Sequence, residues 1–442
     1  MRLKSLKNAA SVMLLLAITG MYACKKETHP PTGQNSPIQI SSFSPDTATE
    51  GDLVVIQGSN FGSKPEDNVV MVQNTTLTSI SVTATSLTVK VPARGASGKI
   101  KVAVNGYSNE STKDFTYLPT VRTLSGDGTL GSKNGNGDQA QFRFPSGIAT
   151  DAEGNLYVAD RNSNTIRKVT LQGITTTVAG DGGIGLVNGN AANARFNLPS
   201  DLVVDDVGNI FVADAGNNCI RKITPDGFVS TLAGTGAEGY KDGPGLQAMF
   251  SAPTGITLDR DFESVYVTDE KNNVIRKITA GGIVSTIAGT GVIGFKDGEA
   301  KTEAQFNTPF SLDIDALGNL YVADVGNFRI RKISKVGVVS TWAGTGVNGT
   351  KDGNKDEAQF GIITGVKLDQ WGNMYAVDVF NSTLRKIAVD GTVSTITGQM
   401  GLGFADGRAD KAKFKSPLDV AIDHFGNLFV SDRENQRIRI LQ

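Results

Sequence analysis

The sequence predicts an all-β protein in which a small immunoglobulin-like sandwich precedes a six-bladed β-propeller. The chain has 52 glycines among 442 residues, well above the usual share of about 7%, which indicates many tight turns. Short runs rich in Val, Ile and Thr lie between these turns, as expected for strands. Six similar segments each end in an aspartate, 54 or 55 residues apart: Asp160, Asp214, Asp269, Asp324, Asp378 and Asp432. A β-rich repeat of this period favours blades arranged around an axis.

Composition excludes several classes of function. The chain carries 43 Lys and Arg against 44 Asp and Glu, a formal net charge of −1, which gives no electrostatic reason to expect a nucleic-acid partner. Its hydrophobic content of 39% is too low for a multispan membrane protein. Because His29 and His424 are the two histidines, one chain cannot build a metal site on several histidines. The two cysteines, Cys24 and Cys219, cannot form a disulfide framework.

Residues 1–24 are typical of a secretory signal. A basic start precedes an apolar run that is too short to span a bilayer comfortably and ends in small residues before Cys24. This arrangement resembles a bacterial lipoprotein signal, which implies that Cys24 becomes lipidated and tethers the chain to a membrane. Tyr22 departs from that pattern, so an ordinary signal peptide cleaved nearby is the alternative. Polar, Pro-rich residues 25–37 indicate a flexible linker.

The charged residues after Cys24 resemble the tract that follows the lipidated cysteine of surface lipoproteins in Bacteroidetes-type bacteria. That resemblance implies an outer-membrane location, at the cell surface or facing the periplasm. A fully acylated cysteine would hold the protein stably, because several acyl chains bind membranes far better than one.

Residues 38–118 contain several β-rich runs separated by Gly, Pro, Asn and Ser, which suits an immunoglobulin-like sandwich. Phe43-Ser44-Pro45 and the Gly58-Ser59-Asn60-Phe61-Gly62 run resemble the IPT/TIG family. In bacterial surface proteins such domains usually act as spacers, and direct contact with a ligand is the alternative.

Residues 119–442 contain the sixfold repeat, and each period holds four strand-like runs, which predicts 24 strands. The fourth-strand pattern first occurs at residues 121–126, whereas the chain ends on a third strand at residues 437–442. The early segment is therefore expected to supply the outer strand of the last blade and to close the ring. Stretches such as residues 318–332 resemble the NHL family of propellers, which implies the fold but leaves function open, because that family includes binding modules and a few enzymes.

Features that recur in every blade are interpreted as structural. Each repeated Asp is followed seven residues later by an Arg, as in Asp160 and Arg167, which predicts ion pairs within or between blades. A repeated Phe, as in Phe196 and Phe360, is expected to plug the space between blades. The long loops carry an Asn-Gly or Asp-Gly pair that suits a turn, with a Ca²⁺ role as the alternative.

Features that differ between blades are interpreted as functional. The long loops and the turns between strands two and three should emerge on one face, where binding is expected near the central funnel. Candidates for stacking on sugar or peptide, or else for core packing, are Tyr240, Phe295 and Phe404. Candidates after the repeated Asp, which either face a ligand or are solvated, are Arg161, Glu270, Lys271, Phe380, Arg433 and Glu434. Charges expected near the channel, where an ion or polar ligand, mutual pairing or water would satisfy them, are Asp201, Asp313, Lys367 and Asp419.

Three functions compete. The first is a monomeric, non-catalytic surface lipoprotein that binds a glycan or another surface polymer and needs no cofactor, or at most Ca²⁺. The second is an enzyme, either a lyase or a lactonase or other hydrolase, with a carboxylate site at the funnel. The zinc-dependent amidating lyases of the NHL type use histidine ligands, and His424 is the single propeller histidine. The third is a scaffold for adhesion or protein complexes.

Overall fold

The computed structural model describes residues 37–259, 261, 263–398 and 401–442. Over these residues the secondary structure consists of β-strands and short 3-10 helices, so the predicted all-β fold is confirmed. The predicted signal, the lipidation site Cys24 and all of the linker except Pro37 lie outside the described residues. Within those residues, no helix has the length and apolar character needed to cross a bilayer.

The N-terminal domain is a sandwich of eight strands in the hydrogen-bonded order β1-β3-β6-β5-β4-β7-β8-β2. Buried and exposed residues alternate along its strands, as in Leu53–Ser59, so one face packs on the core. That core includes Val54, Val102 and Phe115. The strands are β1 (Gln39–Ser44), β2 (Thr47–Ala48), β3 (Leu53–Ser59), β4 (Val69–Val72), β5 (Thr75–Val82), β6 (Ser86–Lys90), β7 (Gly98–Val104) and β8 (Tyr107–Tyr117), with a 3-10 helix at Pro65–Asp67.

Six five-stranded sheets form the blades of the propeller. Blade 1 contains β10 (Gly135–Asn136), β11 (Pro145–Thr150), β12 (Leu156–Asp160), β13 (Thr165–Val169) and β14 (Ile174–Ala179). Blade 2 contains β15 (Gly189–Asn190), β16 (Pro199–Val204), β17 (Ile210–Asp214), β18 (Cys219–Ile223) and β19 (Phe228–Ala233). Blade 3 contains β20 (Gly243–Pro244), β21 (Pro253–Leu258), β22 (Ser264–Asp269), β23 (Val274–Thr279) and β24 (Ile283–Ala288).

Blades 4 to 6 repeat this plan. Blade 4 contains β25 (Gly298–Glu299), β26 (Pro309–Ile314), β27 (Leu320–Asp324), β28 (Arg329–Ile333) and β29 (Val338–Ala343). Blade 5 contains β30 (Gly353–Asn354), β31 (Ile363–Leu368), β32 (Met374–Asp378), β33 (Thr383–Ile387) and β34 (Thr392–Thr397). Blade 6 contains β35 (Gly407–Arg408), β36 (Pro417–Ile422), β37 (Leu428–Asp432), β38 (Arg437–Leu441) and the early strand β9 (Thr120–Ser125). The propeller's 3-10 helices are Gly137–Gln139, Arg161–Ser163, Ala215–Asn217, Gly245–Gln247, Glu270–Asn272, Val325–Asn327 and Arg433–Asn435.

The expectation of four strands per blade was incomplete. Each long loop contributes a two-residue strand that pairs with the outer strand of the next blade, as Gly189–Asn190 pairs with Phe228–Ala233. Sequence patterning missed this strand because two residues beginning with glycine have no alternation of apolar and polar side chains. The added strand protects the outer edge of each blade over those two residues.

Ring closure occurs as predicted. Val121 pairs with Leu441 and Thr123 with Arg439, so β9 completes the last blade. The amide of Thr120 also donates to the carbonyl oxygen of Gln442 at 2.8 Å. Main-chain hydrogen bonds from both ends of the propeller sequence therefore hold the ring shut.

The sandwich contacts the turn between β36 and β37 of blade 6. The Nη2 of Arg94 donates to the Oδ1 of Asn427 at 2.8 Å, and its guanidinium lies 5.7 Å from the ring centre of Phe425. The hydroxyl of Tyr117 donates to the carbonyl oxygen of Gln442 at 3.3 Å. These contacts put the sandwich on the propeller face that carries the short turns.

Candidate functional site

Buried arginines in the third strands hold the long loops against the blades. Five of the six predicted Asp–Arg pairs join at 2.6–3.0 Å. In blade 2, Arg221 also donates to the carbonyl oxygens of Arg195 and Val187 and to the Oδ1 of Asn188. In blade 5, Arg385 pairs with Asp352 instead of Asp378. The recurrent charged residues therefore form the framework, as expected.

The Asn-Gly and Asp-Gly residues of the long loops belong to the same network. Their side-chain oxygens accept hydrogen bonds from the third-strand arginines, and these residues are Asn134, Asn188, Asp242, Asp297, Asp352 and Asp406. The side-chain oxygens of these loop residues are therefore bound to protein donors.

The strand aspartates of the framework are buried. Burial raises the pKa of Asp214 to about 6, although hydrogen bonds from the Asn197 amide and Asn217 and the charge of Arg221 act to lower it.

The repeated phenylalanines fill the spaces between blades. Phe196 is fully buried in a cluster that combines Ile166 of blade 1 with Leu202 of blade 2. The guanidinium of Arg221 lies 5.0 Å from the Phe196 ring centre, so one ring packs against both the core and the ion pair. The equivalent residues are all fully buried: Phe142, Phe250, Phe306, Phe360 and Phe414.

The three candidate aromatics lie on separate blades. The Tyr240 hydroxyl is 3.0 Å from the Oγ1 of Thr286 in the outer strand of blade 3. Phe295 stacks on Arg329 in blade 4, at 4.0 Å, and Phe404 stacks on Arg437 in blade 6, at 4.0 Å. Each ring is half exposed. The aromatics therefore form separate stacking surfaces over the blades, and their role in ligand contact stays a prediction.

The channel has a threefold pattern inside the sixfold ring. Blades 1, 3 and 5 have glycine where blades 2, 4 and 6 have Asp201, Ser311 and Asp419. A Cβ on Gly147 would lie 2.2 Å from the Oδ1 of Asp201, so glycine leaves room for the larger neighbour. Each larger side chain accepts an amide hydrogen bond from the following blade, as Asp201 does from Ile256 at 3.0 Å. The alternation therefore joins the innermost strands.

Four of the predicted site residues meet on the axis. The Nζ of Lys367 lies 3.2 Å from the Oδ1 of Asp313, and the amide of Leu368 donates to the Oδ2 of Asp313 at 2.8 Å. Lys367 also interacts electrostatically with Asp201 and Asp419. Asp313 and Lys367 therefore form an ion pair, and Asp201 and Asp419 interact with it electrostatically in a cluster of three carboxyl groups and one ammonium group.

Burial determines how this axial cluster titrates. Burial raises the pKa of Asp419 to about 7, against the lowering by hydrogen bonds from the Ile148 and Val420 amides and by Lys367. Burial and the charge of Asp419 raise the pKa of Asp201 well above its ordinary value. Burial alone would lower the pKa of Lys367, but Asp313, Asp201 and Asp419 raise it. Burial and neighbouring charge therefore favour the protonated forms of Asp201 and Asp419 more than they would for an exposed carboxyl group.

The channel beside Asp201 and Asp419 is narrow. Its cavity measures about 10 Å³ and is lined by the first residues of the innermost strands, including Ser146, Thr254 and Thr364. Such a volume admits about one water molecule. Among the described residues, no group of three or more His, Cys, Asp or Glu side chains is arranged to hold a metal ion.

Two arginines lie at the channel mouth, which is formed by the residue after the second strand in each blade: Arg161, Ala215, Glu270, Val325, Val379 and Arg433. Arg433 of blade 6 and Glu270 of blade 3 both interact with Arg161 of blade 1. Glu270 and Arg161 belong to blades that are not neighbours, so their interaction runs across the axis and indicates that both side chains face the opening. The Nε atoms of Arg161 and Arg433 are buried and without hydrogen-bond partners.

The long-loop face also carries exposed apolar side chains that sequence reasoning missed. We call this set the apolar crown: Leu130, Ile184, Ile293, Val347 and Leu402. Each lies in the glycine-rich part of a long loop, where there is no strand or helix period to reveal it. Phe380, a predicted site residue, is 61% exposed on the same face. Sequence alone offered one signal, an apolar residue flanked by glycines in several loops.

Two large clefts lie on the opposite face. One of about 570 Å³ lies between blades 3 and 4, and one of about 530 Å³ lies between blades 4 and 5. They flank the turn that contains Leu317, and Trp371 lines the second cleft. The carboxylate of Asp315 is already bonded to the amides of Leu317 and Asn319 and to Tyr321. Sequence reasoning predicted neither cleft.

Family comparison agrees with this architecture. The IPT/TIG domain model matches residues 37–117, and the NHL repeat model matches residues 142–169 and 196–223. Together with the six-bladed ring, these matches define a two-domain protein in which an IPT/TIG domain precedes an NHL-type propeller.

Similar proteins occur in plants and bacteria. The chloroplastic protein SUPPRESSOR OF QUENCHING 1 of Arabidopsis thaliana is 27% identical over 361 residues, covering 77% of this chain. The chain spans 34% of that relative's length. Crystal structures of auxiliary nutrient binding proteins from Bacteroides thetaiotaomicron and Bacteroides ovatus have TM-scores of 0.57 and 0.58 at 18% identity. Each alignment covers 92% of this chain and 98% of the other, so these proteins share the fold across both domains.

Proposed function

We propose that this protein is a non-catalytic binding module, anchored to the outer membrane through Cys24, that holds a glycan or another surface polymer on its long-loop face. The observation that carries the proposal is the concentration of blade-specific features on this face. This face carries both the apolar crown and two arginines that make no ion pair within the described residues. Exposed apolar groups around unsatisfied polar ones are typical of interaction sites.

The Bacteroides structures support a binding role. Two are named auxiliary nutrient binding proteins and share the order of a small β domain followed by a propeller. The signal-like residues 1–24 and the position of Cys24 support an envelope location. Anchoring through the N-terminus would tether the sandwich side of the molecule to the membrane.

The geometry of the axis argues against the enzyme alternative. A hydrolase or lyase built on Asp201 and Asp419 must bring a substrate bond within hydrogen-bond reach of a carboxyl group. The cavity beside these residues, at about 10 Å³, leaves room for water but not for a sugar or lactone ring. Their carboxylates also accept the Ile256 and Ile148 amides of neighbouring blades.

A binding screen with variants on both faces tests the ligand face. The double variant Ile184→Asp and Ile293→Asp puts charges in the apolar crown, and Val336→Asp puts one on an equally open apolar site of the opposite face. We expect the purified protein to bind oligosaccharides on a glycan array and the crown variant to lose at least about tenfold in affinity. Val336→Asp should bind normally. Loss of binding in Val336→Asp alone would put the ligand in the opposite clefts.

Membrane fractionation tests the anchor. Replacing Cys24 by Ala removes the only thiol at the end of the signal-like segment. We expect the wild-type protein in the membrane fraction and the Cys24→Ala variant in the soluble fraction, because the acyl chains supply the membrane affinity. Equal membrane association of both proteins would contradict lipid anchoring.

A further inference from the structure

The mouth arginines differ from every other buried arginine of the propeller in their surroundings. Third-strand arginines such as Arg221 direct Nη1 and Nη2 at carbonyl and carboxylate oxygens. Within the described part of the chain, the guanidiniums of Arg161 and Arg433 make no side-chain hydrogen bond and have no carboxylate within 4.0 Å. An unpartnered Nε does not distinguish them, because four third-strand arginines also lack a partner for Nε. Guanidinium groups in such surroundings favour an acceptor from outside the protein.

The electrostatics of the mouth point the same way. Burial lowers the pKa of Arg161, the charge of Arg433 lowers it further, and Glu270 raises it. Two positive charges thus share a half-buried opening with one negative charge. A further anion between the guanidiniums would relieve their repulsion.

The packing of Arg433 leaves its donors available. Its guanidinium lies 5.5 Å from the ring centre of Phe144, so one flat face is covered by an aromatic ring. Stacking occupies the face of the group and leaves the N–H donors along its edge, which suit the paired oxygens of a carboxylate or sulfate.

The channel below the mouth stops an anion from going deeper. The hydroxyls of Ser146, Thr254 and Thr364 already donate to carbonyl oxygens of the next blades. Beneath them the carboxyl oxygens of Asp201 and Asp419 already accept hydrogen bonds from the Ile256 and Ile148 amides, and the cavity there is about 10 Å³. An anionic group is therefore held at the rim while the rest of a polymer extends over the long loops.

We infer that Arg161 and Arg433 form a recognition site for an oxyanion group, a carboxylate or a sulfate ester, carried by the bound polymer. This inference rests on the proposed binding function and adds the ligand's charge. Glu270 is a specificity-determining residue in this site, because its charge competes with the ligand for the same two guanidiniums. Sequence analysis treated Arg161, Arg433 and Glu270 as separate candidates, and the structure brings them together at one opening.

Calorimetric titration of the purified protein with three probes tests the inference. The probes are trigalacturonic acid, a sulfated galactose trisaccharide and the neutral galactose trisaccharide. Arg161→Gln and Arg433→Gln should each weaken binding of an anionic probe at least about tenfold, whereas Glu270→Gln should strengthen it. The matched control is Arg195→Gln, which removes the same charge from an exposed arginine on the same face. The Arg195→Gln variant should bind each probe like wild type. Comparison of the two anionic probes shows whether the site prefers a carboxylate or a sulfate ester.

The outcomes separate this inference from the proposed function. One outcome would overturn the oxyanion site and leave the binding function standing. In that outcome the crown variant loses binding of the neutral probe, whereas both arginine variants bind every probe as tightly as wild type does. Arginine-dependent binding of acetate or inorganic sulfate without binding of any saccharide would support the oxyanion site and overturn the glycan ligand. Anionic probes that bind neither wild type nor Glu270→Gln would overturn the inference. Far-UV circular dichroism checks that each variant is folded.

Discussion

The propeller contains two groups of buried or half-buried arginines that behave differently. The six third-strand arginines recur in every blade, are fully buried and have carboxylate or amide oxygens as partners. Arg161 and Arg433 occur in two neighbouring blades, lie at the channel mouth and make no ion pair, whereas the lack of a partner for Nε is common to members of both groups. The first group connects long loops to strands and determines the fold. Residue type alone does not distinguish the groups, whereas recurrence together with pairing does.

The largest effect is expected from breaking a framework pair. Arg221→Ala leaves the fully buried carboxylate of Asp214 without its cation and releases two loop carbonyls. We expect the free energy of unfolding to fall by about 3–5 kcal/mol, as measured by urea denaturation. Arg195→Ala is the control, because its pair with Asp181 is partly exposed and should contribute at most about 1 kcal/mol. Similar losses in both variants would contradict a distinct framework role.

A smaller loss is expected from disturbing the threefold pattern of the channel. In Gly147→Ala the new Cβ would lie 2.4 Å from the Cα of Asp201, and backbone cannot yield as a flexible side chain does. We expect a destabilisation of about 1–3 kcal/mol from overpacking, seen as a lower melting temperature. Gly281→Ala is the control, because its nearest neighbour is an ordinary contact at 3.8 Å. An unchanged Gly147→Ala protein would show that the inner strands tolerate a side chain there.

The axial cluster should make stability depend on pH. The pKa of Asp419 is about 7 in the folded protein, against an ordinary value of 3.8. The folded state therefore keeps a proton that the unfolded chain loses, and this contribution is full below about pH 4 and is lost as pH rises through about 7. The titratable groups that interact with Asp419 are Asp201, Asp313 and Lys367.

Asp419→Asn isolates that contribution. The amide cannot titrate, so the free energy of unfolding should fall less between about pH 5 and pH 8 in the variant than in wild type. Other carboxyl groups with raised pKa values, such as Asp214, are present in both proteins and affect both curves. Urea denaturation across this range measures the difference. Parallel curves would mean that Asp419 does not hold the proton.

The smallest effect on stability is expected at the mouth. Arg161→Gln removes a guanidinium that Arg433 repels, so the free energy of unfolding should change by no more than about 0.5 kcal/mol. At low salt the change should be a slight gain, because screening of the repulsion is then weakest. A loss as large as that of Arg221→Ala would assign Arg161 to the framework.

Much of the fold followed from local pattern. The period of the repeated Asp predicted six blades, and the missing fourth strand after residues 437–442 predicted closure by the early strand. These features are written in the order and spacing of residues along one chain. The buried phenylalanines and five of the six ion pairs were predicted on the same basis.

Contacts between blades were harder to predict. Asn218 accepts the amide hydrogen of Ala252 in the next blade at 2.9 Å, and Asn164 does the same for Leu198. Sequence reasoning missed this interblade bond. Its partner lies more than thirty residues away, and no local spacing encodes that distance.

The candidate site divides in the same way. Placing Asp201, Asp313, Lys367 and Asp419 near the axis followed from their position in the first strand, and the structure brings them together. The width of the channel depends on how six strands pack, so the water-sized cavity could not be predicted. The grouping of Arg161, Arg433 and Glu270 likewise depends on the direction of side chains from three blades.

A crystal structure of the protein with a bound acidic oligosaccharide tests the central claim most directly. The account predicts ligand density over the long loops, with a carboxylate or sulfate between the guanidiniums of Arg161 and Arg433. Ligand density in the clefts beside Leu317 and Trp371, with the mouth arginines unchanged, would contradict it.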